Sequence, residues 1–367
     1  MKNKVKHIIG SVSRTLLGLV FVFSGFVKAV DPLGTVYKIE DYLKAFGGFF
    51  TDLLPLATPA AWILIIMEFT LGVMLLLNIR TNWTAWLSLA FYAVMTPLTL
   101  YIAINNPVSD CGCFGDALIL SNWATFWKNI VLTALVIILL CTKRSIPQTW
   151  QTWLELTITT CTILITALFM GWTMRHLPIM DFRPYKIGNN IPQLMEMPED
   201  AEPDVYDIKL IYAQNGVEQE FTLQNYPKGD STWTFVDQKS VLVKKGYEPP
   251  IHDFEIVTMD FDDITYDILE SEEPVTLAVL YDLSKTDRTQ LGKLAALAEQ
   301  EKVFFLTGSG EEEVTAFAQE LGWDEDKMIS TFCYTDPVTL KTIVRANPGV
   351  IVVQNGNIID KYNLRNK

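Results

Sequence analysis

The residues of this chain best suited to chemistry are seven in a row, Asp110-Cys111-Gly112-Cys113-Phe114-Gly115-Asp116. Thiolates are nucleophiles and soft metal ligands. Two of them one residue apart can act as a redox pair, because Gly112 can adopt the positive φ that brings the two Cα atoms together. A ring that small is strained, and strain makes a disulfide more oxidising. Two other uses stay open. Metal binding needs two more ligands for a closed tetrahedral site, and Asp110 and Asp116 complete such a set poorly. In a purely structural role, Cys111-Gly112-Cys113 only shapes a tight loop against its surroundings.

The elements that must position this loop are apolar. Five runs read as membrane spans, residues 8–30, 60–79, 83–104, 123–141 and 154–172, each near the ~20 residues a helix needs to cross the hydrocarbon. The loop joins the third to the fourth. The first run is longer than a secretory signal core and four more spans follow it, so it is expected to be a retained anchor. Charge divides the 367 residues in the same way. Residues 1–172 carry 11 Lys and Arg against 8 Asp and Glu, and residues 173–367 carry 18 against 34. A membrane half therefore precedes an acidic soluble half, which argues against nucleic acid or anionic lipid as that half's partner. The expected partner of the first half is the lipid bilayer. No internal repeat or low-complexity tract is visible.

Orientation follows from the short loops. Lys2, Lys4, Lys6, Arg80, Lys143 and Arg144 fall on one side if there are five spans, and that side should be cytoplasmic. Trp83, Trp86, Trp150 and Trp153 then form an inner aromatic belt, and Trp62, Trp123, Trp127 and Trp172 an outer one. The expected location is the cytoplasmic membrane, multi-pass, with the N-terminus cytoplasmic. The cysteine loop and the soluble half are then extracytoplasmic, or periplasmic, where disulfides persist. Residues 34–54, rich in Tyr, Phe and Leu, are expected to lie along the outer surface as an amphipathic segment.

Ionisable residues inside the spans need partners or a functional cavity. Glu68, Lys28 and Lys128 fall in the outer half of the bilayer, near the level of the cysteines, and Arg14 in the inner half. Glu68, too short to reach the headgroups, can pair with Lys28 or Lys128 and stand as a candidate proton acceptor beside the thiols. Lys28, Lys128 and Arg14 can also snorkel. Cys141 and Cys161, inside or at the end of apolar helices, read as core thiols.

Arg14, Gly18, Phe21, Gly25 and Lys28 share one helical face, with small residues suited to close helix contact. The run R-x-x-x-G-x-x-F-x-x-S-G-x-x-K-x-x-D-P from Arg14 to Pro32, Glu68 leading into Leu71-Gly72-Val73, and the DCGCFGD loop before an aromatic-rich fourth span resemble the DoxX and MauE membrane families. The resemblance covers roughly residues 8–143. It implies a four-helix membrane unit linked to extracytoplasmic sulfur or thiol redox chemistry, and MauE-type proteins are associated with methylamine utilisation and the maturation of a disulfide-rich enzyme.

The second half opens with a Pro-punctuated stretch, residues 175–203, expected to be an extended tether. Residues 206–213 and 218–223 alternate as strands around the hairpin signal Asn215-Gly216, and 233–243 reads as further β structure. From Gly246 strands and helices alternate: strands at 276–281, 303–306, 350–353 and 358–362, and helices at 290–300, 311–321 and 338–345. This order resembles the thioredoxin-like fold in its TlpA and peroxiredoxin branch. Pro249-Pro250-x-x-Asp253-Phe254 resembles that branch's opening segment, and Asn347-Pro348 resembles its cis-proline, which implies a peptide-holding cleft at Pro348. The chain departs from the family where the reactive cysteines belong, since Asp282-Leu283-Ser284-Lys285-Thr286-Asp287-Arg288 holds none. Cys333 reads as a buried core thiol. His176 and His252 are too isolated for a metal site, and His252 reads as a packing residue; no metal is expected.

The expected architecture is an all-α membrane helical bundle followed by an α/β thioredoxin-like soluble domain. Its parts are a DoxX/MauE-like four-helix unit (1–145), a fifth transmembrane helix (146–173), a linker and β-hairpin region (174–245) and the thioredoxin-like domain (246–367). The expected function is extracytoplasmic thiol/disulfide or respiratory redox homeostasis through Cys111 and Cys113, as a thiol-disulfide oxidoreductase or a redox-complex subunit. It would work with an extracytoplasmic protein client or redox partner, and with a quinone as a possible acceptor. The alternative is a non-catalytic, membrane-tethered assembly factor whose redox-dead domain holds a client. A transport role finds no support, since neither paired broken helices nor inverted repeats are visible.

Overall fold

The computed structural model of the chain describes residues 2–108, 110–147, 150–198, 200–203, 205–214, 216–244, 246–300 and 302–367. Its first half is helical: α1 (Lys2–Val30), α2 (Pro32–Phe46), α3 (Ala57–Leu76), α4 (Thr81–Asn105), α5 (Asn122–Thr142) and α6 (Thr152–Arg175). Among the described residues five helical stretches are long and apolar enough to cross a membrane: Lys4–Val30, Gly48–Leu76, Thr81–Asn105, Asn122–Ser145 and Thr152–Arg175. They contain four of the five runs expected from the sequence, and the second, expected over 60–79, ends at Leu76. Ile63, Val94 and Leu168 stand exposed on the bundle's outer faces, as a helix surrounded by hydrocarbon allows.

The bundle is built on the close approach of α1 and α3. A Cβ placed on Gly72 would lie 2.5 Å from the Val22 backbone nitrogen, and one on Gly25 would lie 2.6 Å from that of Phe69. Small residues here let two backbones touch. Leu17, Phe21, Leu71, Leu75, Tyr92 and Val136 fill the space among α1, α3, α4 and α5. Arg14, which was open to snorkelling, instead donates to the carbonyls of Leu75 and Leu76 (2.9 Å to the latter). It thereby satisfies acceptors that the end of α3 leaves without helical partners.

Residues 34–54 fold into a helix and a 3-10 stretch. Asp31 caps α2 by accepting from the Gly34 N–H at 3.1 Å, Pro32 occupies its first turn, and Gly47 at φ +63° ends it. A 3-10 stretch, Gly48–Leu56, then leads into α3. Cys141 and Cys161 are exposed rather than in the core. In helices apolar all round, hydropathy does not tell which face meets lipid.

The expected tether is part of the soluble fold. It contains α7 (Ile191–Met195), and Tyr185 and Ile191 are buried in the same core as Phe254, Leu277 and Val353. Arg183 is buried too, bonded to Asp181, which also accepts from Lys361. Two sheets follow. In the first, β1 (Val205–Gln214) lies between β2 (Val217–Thr222) and β3 (Thr234–Lys244), all antiparallel; Asn215 of the expected turn lies outside the described residues. The second comprises β4 (Val257–Thr258), β5 (Val275–Leu280), β6 (Val303–Thr307), β7 (Phe332–Tyr334), β8 (Gly349–Gln354) and β9 (Asn357–Asn363), in the order β4-β7-β6-β5-β8-β9. Strands β5, β6 and β7 are parallel, while β4, β8 and β9 run antiparallel to their neighbours.

The helices of this half are α8 (Thr265–Leu269), α9 (Leu291–Leu297), α10 (Glu311–Leu321), α11 (Glu325–Thr331) and α12 (Pro337–Ile343). Strand β5 is buried throughout. Leu277 and Val279 enter one core, and Ala278 and Leu280 enter the other with Phe305, Phe317 and Phe332, as the two-residue period of a strand requires. Helix α9 is shorter than the expected 290–300, and α12 ends before Val344, which is extended. The Asn347–Pro348 peptide bond is cis.

Because the α1–α3 contact is backbone on backbone, Gly72→Val should lower the stability of the detergent-solubilised protein by about 1–3 kcal/mol through overpacking. Gly171→Ala, whose added Cβ meets only the Trp62 ring at 3.7 Å, should leave it unchanged. Unfolding midpoints of the two variants provide the comparison.

Candidate functional site

The cysteine loop is held from three sides. Helix α4 ends at Asn106 in the left-handed conformation, and α5 starts under the Ser121 cap. Between them Gly112 and Gly115 take φ of +63° and +51°, where a side chain is strained. Gly112 is doubly constrained, since a Cβ there would come within 3.0 Å of the Lys38 side chain. The Gly112 N–H donates to Asp110 Oδ1 at 2.8 Å, and Lys38 Nζ of α2 lies 2.6 Å from Asp110 Oδ2. The Tyr42 hydroxyl, one turn further along α2, donates to the Cys111 carbonyl at 2.6 Å. Phe114 is buried against Phe23, with the Lys128 ammonium 4.3 Å from its ring centre. Helix α2 is therefore a clamp on the loop.

The two thiols are half-buried and unbridged, with their Sγ atoms 3.0 Å apart. Cys113 is lowered to about 6, first because it accepts the Cys111 S–H, and further because the ammonium groups of Lys128 and Lys28 face it; burial opposes the shift. Cys111 is pushed up, first by that same bond and then by burial. The two sulfurs are close enough to share one proton, and the facing ammonium groups of Lys128 and Lys28 favour charge on Cys113. Burial, with the neighbouring Cys111, also pushes Tyr42 up, so Tyr42 stays a neutral donor.

Beneath the loop lies a buried ion pair. Lys28 Nζ stands 2.8 Å from both carboxylate oxygens of Glu68 and 3.1 Å from Ser24 Oγ, and both charged side chains are under a tenth exposed. Ser24 Oγ is 2.8 Å from Glu68 Oε2 and 2.8 Å from the Cys113 carbonyl oxygen. Its single proton serves one acceptor at a time. Glu68 thus reaches Cys113 through one hydroxyl, and Lys28, rather than Lys128, is its counter-ion. Arg14 lies elsewhere, at the end of α3.

A cavity of about 550 Å³ connects these groups. The dithiol and the ion pair line its middle, and Phe21, Phe91, Tyr92 and Met95 line its membrane end. The soluble half forms the roof. Arg345, just past α12 and buried, places Nε 2.8 Å from Asp31 and Nη2 3.3 Å from Asp116, and the Tyr37 and Tyr281 hydroxyls are 3.3 Å apart. Asp116, the last carboxylate of the motif, is thereby a docking residue. Arg345 was missed in the sequence, where a single Arg before Ala-Asn-Pro gives no signal.

The remaining candidates lie apart from this centre. Pro348 borders a cavity of about 160 Å³ that Leu33 and Met174 of the membrane half also line, so its surroundings are shared with this chain's own helices. Cys333 is in the core, and burial pushes its thiol up to about 12. His252 is not a packing residue: it is half exposed, with Nε2 2.8 Å from Asp253. Among the described residues no group of three or more His, Cys, Asp or Glu gathers as a metal site.

Residues 6–142 match the family described as methylamine utilisation protein MauE. Residues 206–245 match a domain of unknown function, DUF8463. The first match takes in α1, α3, α4, α5 and the cysteine loop, and the second coincides with the three-stranded sheet. No curated protein and no solved structure matches the chain.

The thiolate forms above a thiol's folded-state pKa, so Cys113 should react with iodoacetamide at a rate that is half-maximal near pH 6. In Cys111→Ala, which removes the donated S–H, that midpoint should move upward. Mass spectrometry of the labelled peptide identifies the site, and an unmoved midpoint would contradict the shared-proton arrangement.

Proposed function

We propose that this chain is a multi-pass membrane thiol–disulfide exchange protein, with Cys111 and Cys113 as its redox pair facing the extracytoplasmic side. The observation that carries this reading is the Sγ–Sγ contact of 3.0 Å between a lowered Cys113 and a raised Cys111. A pair that shares one proton is suited to exchange, because the more acidic thiol is the better leaving group.

Starting from the disulfide, a client thiolate attacks Cys111 Sγ and releases the Cys113 thiolate. The client's second thiol gives up its proton and attacks the client sulfur of the mixed disulfide, releasing Cys111, which takes a proton. One disulfide is lost and one is made; the client is oxidised and the pair reduced. Glu68 anchors Lys28 and Ser24 beneath the pair, and Lys28 and Lys128 favour the Cys113 anion.

The soluble half supports this reading as a cover, with no exchange chemistry of its own. Its strand order, three parallel strands closed by antiparallel β8 and β9, supports a thioredoxin-like fold. The segment 282–288 lacks cysteine, and Cys333 is in the core. The surroundings of Pro348 are lined in part by Leu33 and Met174, which favours a partner within the chain over a held client. The basic loops opposite the cysteines support placing this cover outside the cytoplasm.

Equilibration of the purified protein in glutathione redox buffers, followed by alkylation and peptide mass analysis, tests the proposal. Cys111 and Cys113 should convert together, losing two hydrogens per pair in a single two-electron transition, while Cys333 stays reduced. A pair that never closes, or that closes only with denatured protein, would leave the loop a structural one.

A further inference from the structure

We infer that the second redox partner of Cys111 and Cys113 is a lipid-soluble quinone, which enters the bundle from the hydrocarbon and is held with its ring in the chamber below Cys113. This rests on the exchange reading above and names the acceptor that reading requires. A cavity of about 550 Å³ falls in the size range of small-molecule sites. Its membrane end is walled by three rings in mutual contact, with centroid separations of 5.1 Å for Phe21 and Phe91, 5.5 Å for Phe21 and Tyr92, and 5.2 Å for Phe91 and Tyr92. A flat conjugated ring fits such a wall by stacking or edge contact.

The chamber also borders the lipid. Leu64 of α3 and Met95 and Leu98 of α4 line it and are partly exposed. Their neighbours Ile63, Met67 and Val94 stand exposed on the outer surface of the same helices. The way in for a lipid-soluble molecule lies between α3 and α4.

Polar groups sit where a carbonyl-bearing ring would need them. Lys128 and Asn129 line the chamber, and Asn129 is already oriented by donating to Thr99 at 3.2 Å. Among the described residues Lys128 makes no salt bridge; its ammonium stands over Phe114, beside the loop. A cation without a salt bridge, beside a chamber whose membrane end is apolar, suits an oxygen on which negative charge develops.

The chemistry balances with this class of acceptor. The one S–H bond of the pair breaks and one S–S bond forms, which releases two electrons and one proton. The quinone takes up both electrons, that proton and a second one from water as its two carbonyls become hydroxyls. The regenerated disulfide is then ready for the next client.

The test uses the full-length protein, reduced in detergent, freed of reductant and kept anaerobic. A short-chain benzoquinone is added, and hydroquinone absorbance is followed with the alkylation state of the cysteines. The expected result is one hydroquinone per Cys111–Cys113 pair oxidised. Met95→Trp, or Leu98→Trp should the first variant not fold, fills the chamber and should slow quinone reduction about tenfold or more, while oxidation by diamide, a small polar oxidant, keeps its wild-type rate. Diamide closing the pair while the quinone does not would overturn this inference and leave the exchange reading intact. Equal quinone rates in wild type and the filled variant would overturn the chamber assignment. If neither oxidant closes the pair, both readings fall.

Discussion

The arrangement depends on two opposite charges held below the surface of a helical bundle, Lys28 and Glu68. Neither charge could stay there alone, since removing one partner of a buried pair costs about 3–5 kcal/mol by leaving the other uncompensated. Their contact requires that α1 and α3 lie close and in one rotational phase, and Gly25 and Gly72 make that approach possible. Once the helices are so placed, Ser24 stands between Glu68 and the Cys113 carbonyl. The ion pair is thus both a packing device and the floor on which the cysteine loop rests.

From that floor upward each contact narrows what the thiols can do. Lys38 and Tyr42 fix the loop from α2, and the glycines let the chain turn so that the two sulfurs meet. The meeting lets the two sulfurs share a proton, and the nearby ammonium groups favour charge on Cys113. Arg345 then brings the soluble half down on Asp31 and Asp116, so the motif's last carboxylate joins the two halves and leaves its sulfurs free of that contact. The start of α2, the end of α6 and the Pro348 face of the soluble half share one boundary.

Much of this was legible in the sequence, for reasons that differ from part to part. The spans were, because hydrocarbon thickness sets a length that few soluble segments reach. The meeting of Cys111 and Cys113 was, because a glycine between two thiols can take the positive φ that brings their sulfurs together. The counter-ion of Glu68 was not, because Lys28 and Lys128 lie at similar depth and only helix phase separates them. Arg345 was invisible because its partners lie 314 and 229 residues away. Residues 175–203 read as a tether because prolines hide the short-range period, yet Tyr185 and Ile191 complete a core whose other members come 60 residues and more later. Cys141 and Cys161 were misplaced because lipid is as apolar as a core, so composition alone does not orient an all-apolar helix.

The central claim is that Cys111 and Cys113 cycle between dithiol and disulfide on the outer side of the membrane. The most direct measurement is their redox state in intact cells, trapped with a membrane-impermeant, mass-adding alkylating reagent before and after reduction. The account predicts labelling of both cysteines only after reduction, and labelling without reduction once the supply of oxidant is cut. Cysteines that label equally with and without reduction under every condition would contradict it, because the loop would then hold two thiols that never exchange.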